Sequence, residues 1–230
     1  MRTIGLIGGM SWESSAHYYR LINQGVRVAL GGTHSARIAM VSVDFAEIEA
    51  LQHAGDWDAL GIAMADAARQ VVAAGAEAIV LATNTMHKLA PEIEAAVDAP
   101  LIHIADAAAA AMRDDGLVRV GLLGTAFTME QPFYRDRIAA AGLEVIVPEA
   151  DDRRVVHDII YRELVQGVIR DESRDACREV IARLVARGAE GIVLGCTEIM
   201  LLVGEGDSAV PLYDTTTLHA AAAVRWALEE

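Results

Sequence analysis

A cysteine and a threonine occupy equivalent places in a chain whose sequence repeats itself. The stretch Val72-Ala73-Ala74-Gly75-Ala76-Glu77-Ala78-Ile79-Val80-Leu81 matches Val185-Ala186-Arg187-Gly188-Ala189-Glu190-Gly191-Ile192-Val193-Leu194 at an offset of 113, with eight of ten positions identical. Carried two residues further, the same offset lays Thr83 on Cys196. A free thiol has an ordinary pKa near 8.5, which helix N-termini and cations can lower, so a cysteine can act as a base close to neutral pH. A hydroxyl is a far weaker base and needs help. Two proton-transfer groups on opposite sides of one carbon are what stereochemical inversion requires, since one removes a proton from one face while the other delivers a proton to the opposite face. In that reading Cys196 is the strong member, and Thr83, directly or through a water it holds, is the weak one.

The elements that must position this pair are short apolar runs alternating with longer helical patterns. The runs read as strands are Thr3–Ile7, Arg37–Val43, Ala78–Leu81, Leu101–Ile104, Val118–Leu123, Leu143–Val147, Gly191–Leu194 and Val210–Tyr213. Alanine-rich segments such as Trp57–Ala74 and Arg174–Arg187 carry apolar residues at helical spacing between them. Nearly continuous apolar strands alternating with helices imply parallel sheets covered on both faces. Two further echoes fit the repeat: Ile4-Gly5-Leu6-Ile7-Gly8 with Val120-Gly121-Leu122-Leu123-Gly124 at 116, and Tyr18-Tyr19-Arg20 with Phe133-Tyr134-Arg135 at 115. The expected fold class is α/β, with two pseudo-symmetric lobes, each a four-stranded parallel sheet flanked by helices. The active site is expected in the cleft between them. The first lobe is assigned to residues 1–104 and the second to residues 105–213. The C-terminal helix, residues 214–230, is expected to pack back on the first lobe.

Ligands of open parallel sheets bind beyond the carboxyl ends of the strands, where backbone N–H groups and helix N-termini converge. The residues at those ends are Gly8-Gly9-Met10-Ser11, Thr83-Asn84-Thr85, Gly124-Thr125 and Cys196-Thr197-Glu198. The expected pocket is therefore formed by Gly9, Met10, Gln52, Asn84, Thr85, Thr125 and Thr197. Gln52 follows the second strand and offers an amide to a side-chain carboxylate or amide. Asn84, Thr85 and Thr197 are also good helix caps, a role compatible with binding an anion at the capped end. Glu198, just after Cys196-Thr197, is expected to orient Cys196 as a supporting group. Met10, Trp12 and Glu13 read as a loop or lid following the glycine pair. Cys177 lies within a helical pattern and reads as structural, while His87 and Lys88, a turn past Thr83, read as supporting or structural residues.

Bulk properties narrow the function classes. Hydrophobic residues make up 53% of the 230, enough for a substantial core, and the net charge of -14 argues against nucleic acid or an anionic membrane as partner. Two cysteines form no disulfide framework, and no His/Cys spacing suggests a metal. The start Met1-Arg2-Thr3-Ile4-Gly5 has no signal-peptide pattern and no run reaches the length of a membrane span, so a cytoplasmic protein is expected. The glycines near the start do not make a dinucleotide fingerprint, and no histidine is designated as partner of a hydrolytic cysteine. A two-lobed amino-acid-binding protein without turnover would explain a cleft but not the thiol.

The residues around the pair carry a family resemblance. Ile192-Val193-Leu194-Gly195-Cys196-Thr197-Glu198-Ile199 resembles the second signature of the aspartate/glutamate racemase family, and Leu81-Ala82-Thr83-Asn84-Thr85-Met86-His87 resembles the first. Ile7-Gly8-Gly9-Met10-Ser11-Trp12-Glu13-Ser14 and Asp214-Thr215-Thr216-Thr217-Leu218-His219-Ala220 are similar to the start and end of its cofactor-independent amino-acid racemase branch. The resemblance implies a pseudo-symmetric, usually dimeric α/β fold, a small amino-acid substrate, and proton transfer beside a carboxylate with no cofactor. The family pattern has cysteine in both signatures, whereas this chain has Thr83 in the first. Related racemases with threonine there are part of the family picture, and members with the second cysteine alone also include decarboxylases of substituted malonates. A single-cysteine decarboxylase or isomerase is thus the alternative. Aspartate racemases also supply cations for the distal carboxylate, but the segment Asp44-Phe45-Ala46-Glu47-Ile48-Glu49-Ala50-Leu51-Gln52 holds none.

Overall fold

The computed structural model describes residues 1–229, which divide into two compact units. One comprises Met1–His103 together with the chain from His219 onward, and the other is Ile104–Leu218.

The first unit contains β1 (Ile4–Gly8), α1 (Trp12–Leu30), β2 (Ile38–Ser42), α2 (Phe45–Ala54), α3 (Trp57–Ala73), β3 (Ala78–Leu81), a 3₁₀ turn (Thr85–Leu89), α4 (Ala90–Ala96) and β4 (Leu101–Ile102). Its strands are parallel in the order β2-β1-β3-β4. The two central strands, β1 and β3, are wholly buried, whereas the edge strand β2 alternates between half-buried and exposed residues. This is the pattern expected when helices cover both faces of a sheet's middle but leave its edge open. On one face the core joins Ile7, Ile79 and Leu81 to Leu60, Met64 and Val71 of α3.

On the other face Ile4, Leu6 and Val80 pack with Tyr18, Ile22 and Val26 of α1. These α1 residues are spaced i, i+4, i+8, so a single helical face reaches the sheet. Ser11 caps the helix by accepting the Ser14 N–H. The same core includes Ala220, Ala223, Val224 and Ala227 of the last helix, α11 (Thr215–Leu228). Small side chains let this helix approach α1 closely, and a Cβ on Gly25 would stand 3.0 Å from Val224 Cγ2.

The second unit contains α5 (Ile104–Asp114), β5 (Arg119–Gly124), α6 (Ala126–Glu130), α7 (Pro132–Ala140), β6 (Glu144–Ile146), α8 (Ala150–Arg162), α9 (Asp171–Ala186), β7 (Gly191–Gly195), α10 (Ile199–Leu202) and β8 (Leu212–Asp214). Helix α11 (Thr215–Leu228) starts here, and the division between the units falls inside it, between Leu218 and His219. The sheet is parallel in the order β6-β5-β7-β8, the same permutation as in the first unit. The eight runs expected from the sequence are the eight strands, with ends shifted by one or two residues. Cys177 faces inward from α9 into the core of this unit, together with Val180, Ile181 and Leu184. No helix among the described residues is long and apolar enough to cross a membrane.

Candidate active site

In the second unit, β5 and β7 run side by side and end in register at Gly124 and Gly195. Both ends need glycine. A Cβ on Gly195 would lie 2.8 Å from the Leu123 carbonyl oxygen, and one on Gly124 would lie 2.8 Å from the Gly195 carbonyl oxygen. Adding a methyl group at either place would push the strands apart where they deliver their functional residues. Thr125 and Cys196 therefore emerge from neighbouring strand ends.

Cys196 is 6% exposed and Glu198 is 4% exposed. The Cys196 thiol donates to Glu198 Oε2 at 3.1 Å, and the Thr197 hydroxyl donates to the same oxygen at 2.9 Å. Burial pushes the thiol well above its usual range, and the Glu198 carboxylate pushes it further, while backbone N–H groups of Glu198 and Ile199 oppose both effects. This differs from the sequence expectation of a thiol lowered by helix N-termini. The reason is local: the helix that follows, α10, spans only four residues, so few aligned peptide dipoles act at its start. The Glu198 charge outweighs the backbone N–H groups. Thr197 is not the cap of that helix either: Glu198 holds the N-cap position, and the Thr197 hydroxyl donates to the Glu198 carboxylate.

Thr125 does cap, accepting the Thr128 N–H at 3.3 Å at the start of α6. The next amide, Ala126 N–H, donates to His157 Nδ1 at 3.2 Å. His157 comes from α8 and stands against Phe127 and Tyr161. The sequence offered no sign of this histidine: it sits in an ordinary amphipathic helix, and only the packing of α8 on α6 brings it to the strand ends.

In the first unit, β1 and β3 are paired up to Ile7 and Leu81, and the Ala82 N–H continues the ladder to the Ile7 carbonyl. Gly9, Met10 and Thr83 thus follow adjacent strand ends. Gly9 has φ 98°, and a Cβ there would lie 2.2 Å from the Val43 carbonyl oxygen, so only glycine lets the chain pass. Its N–H donates to Ser15 Oγ at 2.8 Å. The Met10 side chain belongs to the core with Ile7 and Ile48. Trp12 begins α1 and is 68% exposed, so the segment expected as a loop or lid is a capped helix start.

Thr83, Asn84 and Thr85 are all buried. They lead into the 3₁₀ turn instead of an α-helix, and Asn84 at its start makes no capping hydrogen bond. Gln52 faces inward from α2, and its Nε2 donates to Met86 Sδ at 3.1 Å. That contact ties Gln52 to the segment carrying Thr83. The sequence-designated residues therefore fall into two groups: Gly9, Met10, Gln52, Thr83, Asn84 and Thr85 in the first unit, and Thr125, Cys196, Thr197 and Glu198 in the second.

Two parallel sheets of the same strand order, one of them leading into a buried thiol–carboxylate pair, define an α/β protein of duplicated design. The chain belongs to the Asp/Glu/Hydantoin racemase family, whose model matches residues 7–223. A Yersinia pestis protein assigned to the Asp/Glu racemases shares 54% identity, with a TM-score of 0.93 and full coverage of both chains. An aspartate racemase homologue from Pyrococcus horikoshii shares 31% identity over the whole of both chains, with a TM-score of 0.86. The glutamate racemase of Francisella tularensis, solved with D-glutamate, is 17% identical with a TM-score of 0.64, covering 98% of this chain and 80% of that one, and shows the fold alone.

Proposed function

We propose that this protein is a cofactor-independent amino-acid racemase in which Cys196 is the principal acid–base group. The observation that carries the reading is the buried Cys196–Glu198 hydrogen bond of 3.1 Å at the carboxyl end of β7, in a chain of the racemase family. The thiol proton passes to Glu198 Oε2 along that bond, leaving a thiolate steadied by the backbone N–H groups of Glu198 and Ile199. The thiolate takes the α-proton of a bound amino acid. Thr83, or a water it holds, returns a proton to the opposite face, and solvent resets both groups. Burial and the Glu198 charge keep the resting group a thiol, so the reactive thiolate fraction grows with pH, and the hydrogen bond to Glu198 holds the sulfur in place for the transfer. Gly9, Met10, Gln52, Asn84, Thr85, Thr125 and Thr197 surround the substrate in this reading, Gly9 and Met10 through their backbone. The family resemblance adds a homodimer, to be tested by sedimentation against the 24.6 kDa of one chain.

A second reading is favoured by one residue. With Thr83 where the two-thiol pattern has cysteine, a single-thiol decarboxylase or isomerase would use Cys196 alone. Incubation with L- and D-amino acids in heavy water, followed by proton NMR, separates the possibilities. A racemase replaces the α-proton by deuterium and inverts the centre. A decarboxylase instead releases carbon dioxide from a substituted malonate, and a binding protein does neither. Absence of α-exchange from every amino acid tried would overturn the racemase reading.

A further inference from the structure

Beneath Thr83 lies a group of buried rings that the proposed mechanism does not use. His87 is 2% exposed, His103 3% and His219 0%. His87 Nδ1 stands 2.7 Å from the Thr83 carbonyl oxygen. A carbonyl only accepts, so Nδ1 carries the proton and donates. The ring cannot swing away. His103 packs against it with centroids 4.4 Å apart, and His219 meets it edge-on at 5.7 Å.

His219 is itself fixed at both nitrogens. Its Nε2 donates to the Ile102 carbonyl oxygen at 2.6 Å, and in the neutral ring its Nδ1 accepts from the Tyr18 hydroxyl at 2.9 Å. The run Tyr18–His219–His87–Thr83 thus links α1, α11 and the end of β4 to the first signature, entirely within the first unit.

We infer that His87 is a positioning residue that sets the Thr83–Asn84 peptide plane for proton transfer. The peptide is planar and trans, so turning the Thr83 carbonyl towards His87 turns the Asn84 N–H the opposite way. One hydrogen bond therefore fixes the Thr83 backbone that carries the hydroxyl and the direction of the adjacent amide. A satisfied core histidine would look similar in burial. What separates the two roles is the partner: His87 holds the carbonyl of the very residue whose hydroxyl the reaction needs. This inference rests on the racemase reading given above, and its test has an arm that does not.

The test compares wild type with His87→Asn, whose amide nitrogen can stand near the place of Nδ1, and His87→Leu, which fills space without a donor. Nitrogen-15 NMR of the wild type should show His87 protonated at Nδ1, with Thr83 carbonyl and Asn84 amide resonances that move in His87→Leu and return towards wild type in His87→Asn. The α-exchange rate should fall about 10–100-fold in His87→Leu, mostly in kcat, because a misplacement of about 1 Å costs up to ~10²-fold. His87→Asn should recover most of that loss. An unprotonated Nδ1 in the wild type overturns the inference, and that result does not require any variant to fold. Equal impairment of both variants, or full activity in a folded His87→Leu, overturns it as well. A wild type that exchanges no α-proton defeats the racemase reading instead, and the NMR arm still decides whether His87 holds the peptide.

Discussion

At Cys196, two influences that raise the thiol pKa come from one neighbour, the Glu198 carboxylate, acting through its charge and its hydrogen bond. Burial, the largest influence, raises it as well, so the resting group is a thiol and the thiolate grows as pH rises. The kcat/KM of the wild type should therefore climb from neutral into alkaline pH. Glu198→Gln removes the charge and the strong acceptor together, so the rising limb should move to lower pH while the maximal rate falls. A pH–rate profile that keeps its position in Glu198→Gln would mean that Glu198 does not act on the thiol. Thr83→Cys tests the other member: a thiol is a few per cent ionised at pH 7 even when unperturbed, and an alkoxide is negligible, so racemisation should quicken in both directions. Flat racemisation in Thr83→Cys would remove Thr83 as a partner and favour the single-thiol reading.

Cys196 was legible in the sequence because a repeat and a signature converge on it. The hydrogen bond from Cys196 to Glu198 was legible only as an expectation of orientation. The direction of the thiol pKa was not, since it depends on burial and on the brevity of α10, neither of which spacing reveals.

Among the elements, the glycine at position 9 sets the strictest condition. Gly9→Ala places a methyl group on a backbone at φ 98° and 2.2 Å from the Val43 carbonyl oxygen. Strain of this kind costs about 1–3 kcal/mol from the dihedral alone, and the clash adds to it. Urea denaturation should show that loss, together with weaker α-exchange, and an unchanged midpoint would contradict the packing of β1 on the segment after β2. The strands were readable because their buried apolar runs are short and bounded by glycine or polar residues. The 3₁₀ turn after Thr83 was less so. A stretch such as Thr85-Met86-His87-Lys88-Leu89 suits an α-helix equally well, and the deciding contacts, Gln52 to Met86 and His87 to Thr83, join residues by tertiary packing. His157 escaped for the same reason.

The whole chain shows its duplication in the shared strand order of its two sheets, which the offset repeats had indicated. Its stability has a pH signature that can be read from Cys177. Burial, aided by Glu163, pushes this thiol from its ordinary range up to about 12. The unfolded chain releases the proton first, so the folded state's advantage is complete below about pH 9 and shrinks as pH rises through about 12. The loss amounts to as much as about 4 kcal/mol, taking ~1.4 kcal/mol for each pKa unit. Melting at pH 8 and pH 11 should therefore show a large alkaline drop for wild type and a smaller one for Cys177→Ala, which also loses packing at both pH values. An equal drop would mean that Cys177 is not shielded from water.

Cys177→Ala also supplies the control for the central claim, that Cys196 moves the α-proton. The measurement is the rate of α-deuterium incorporation from heavy water into an amino acid that the wild type accepts, made on folded Cys196→Ala and Cys177→Ala proteins. The account predicts that exchange falls by at least about 10²–10⁴-fold in Cys196→Ala, the usual contribution of one acid–base group, and stays near wild type in Cys177→Ala. Exchange at a rate close to wild type in well-folded Cys196→Ala would contradict it.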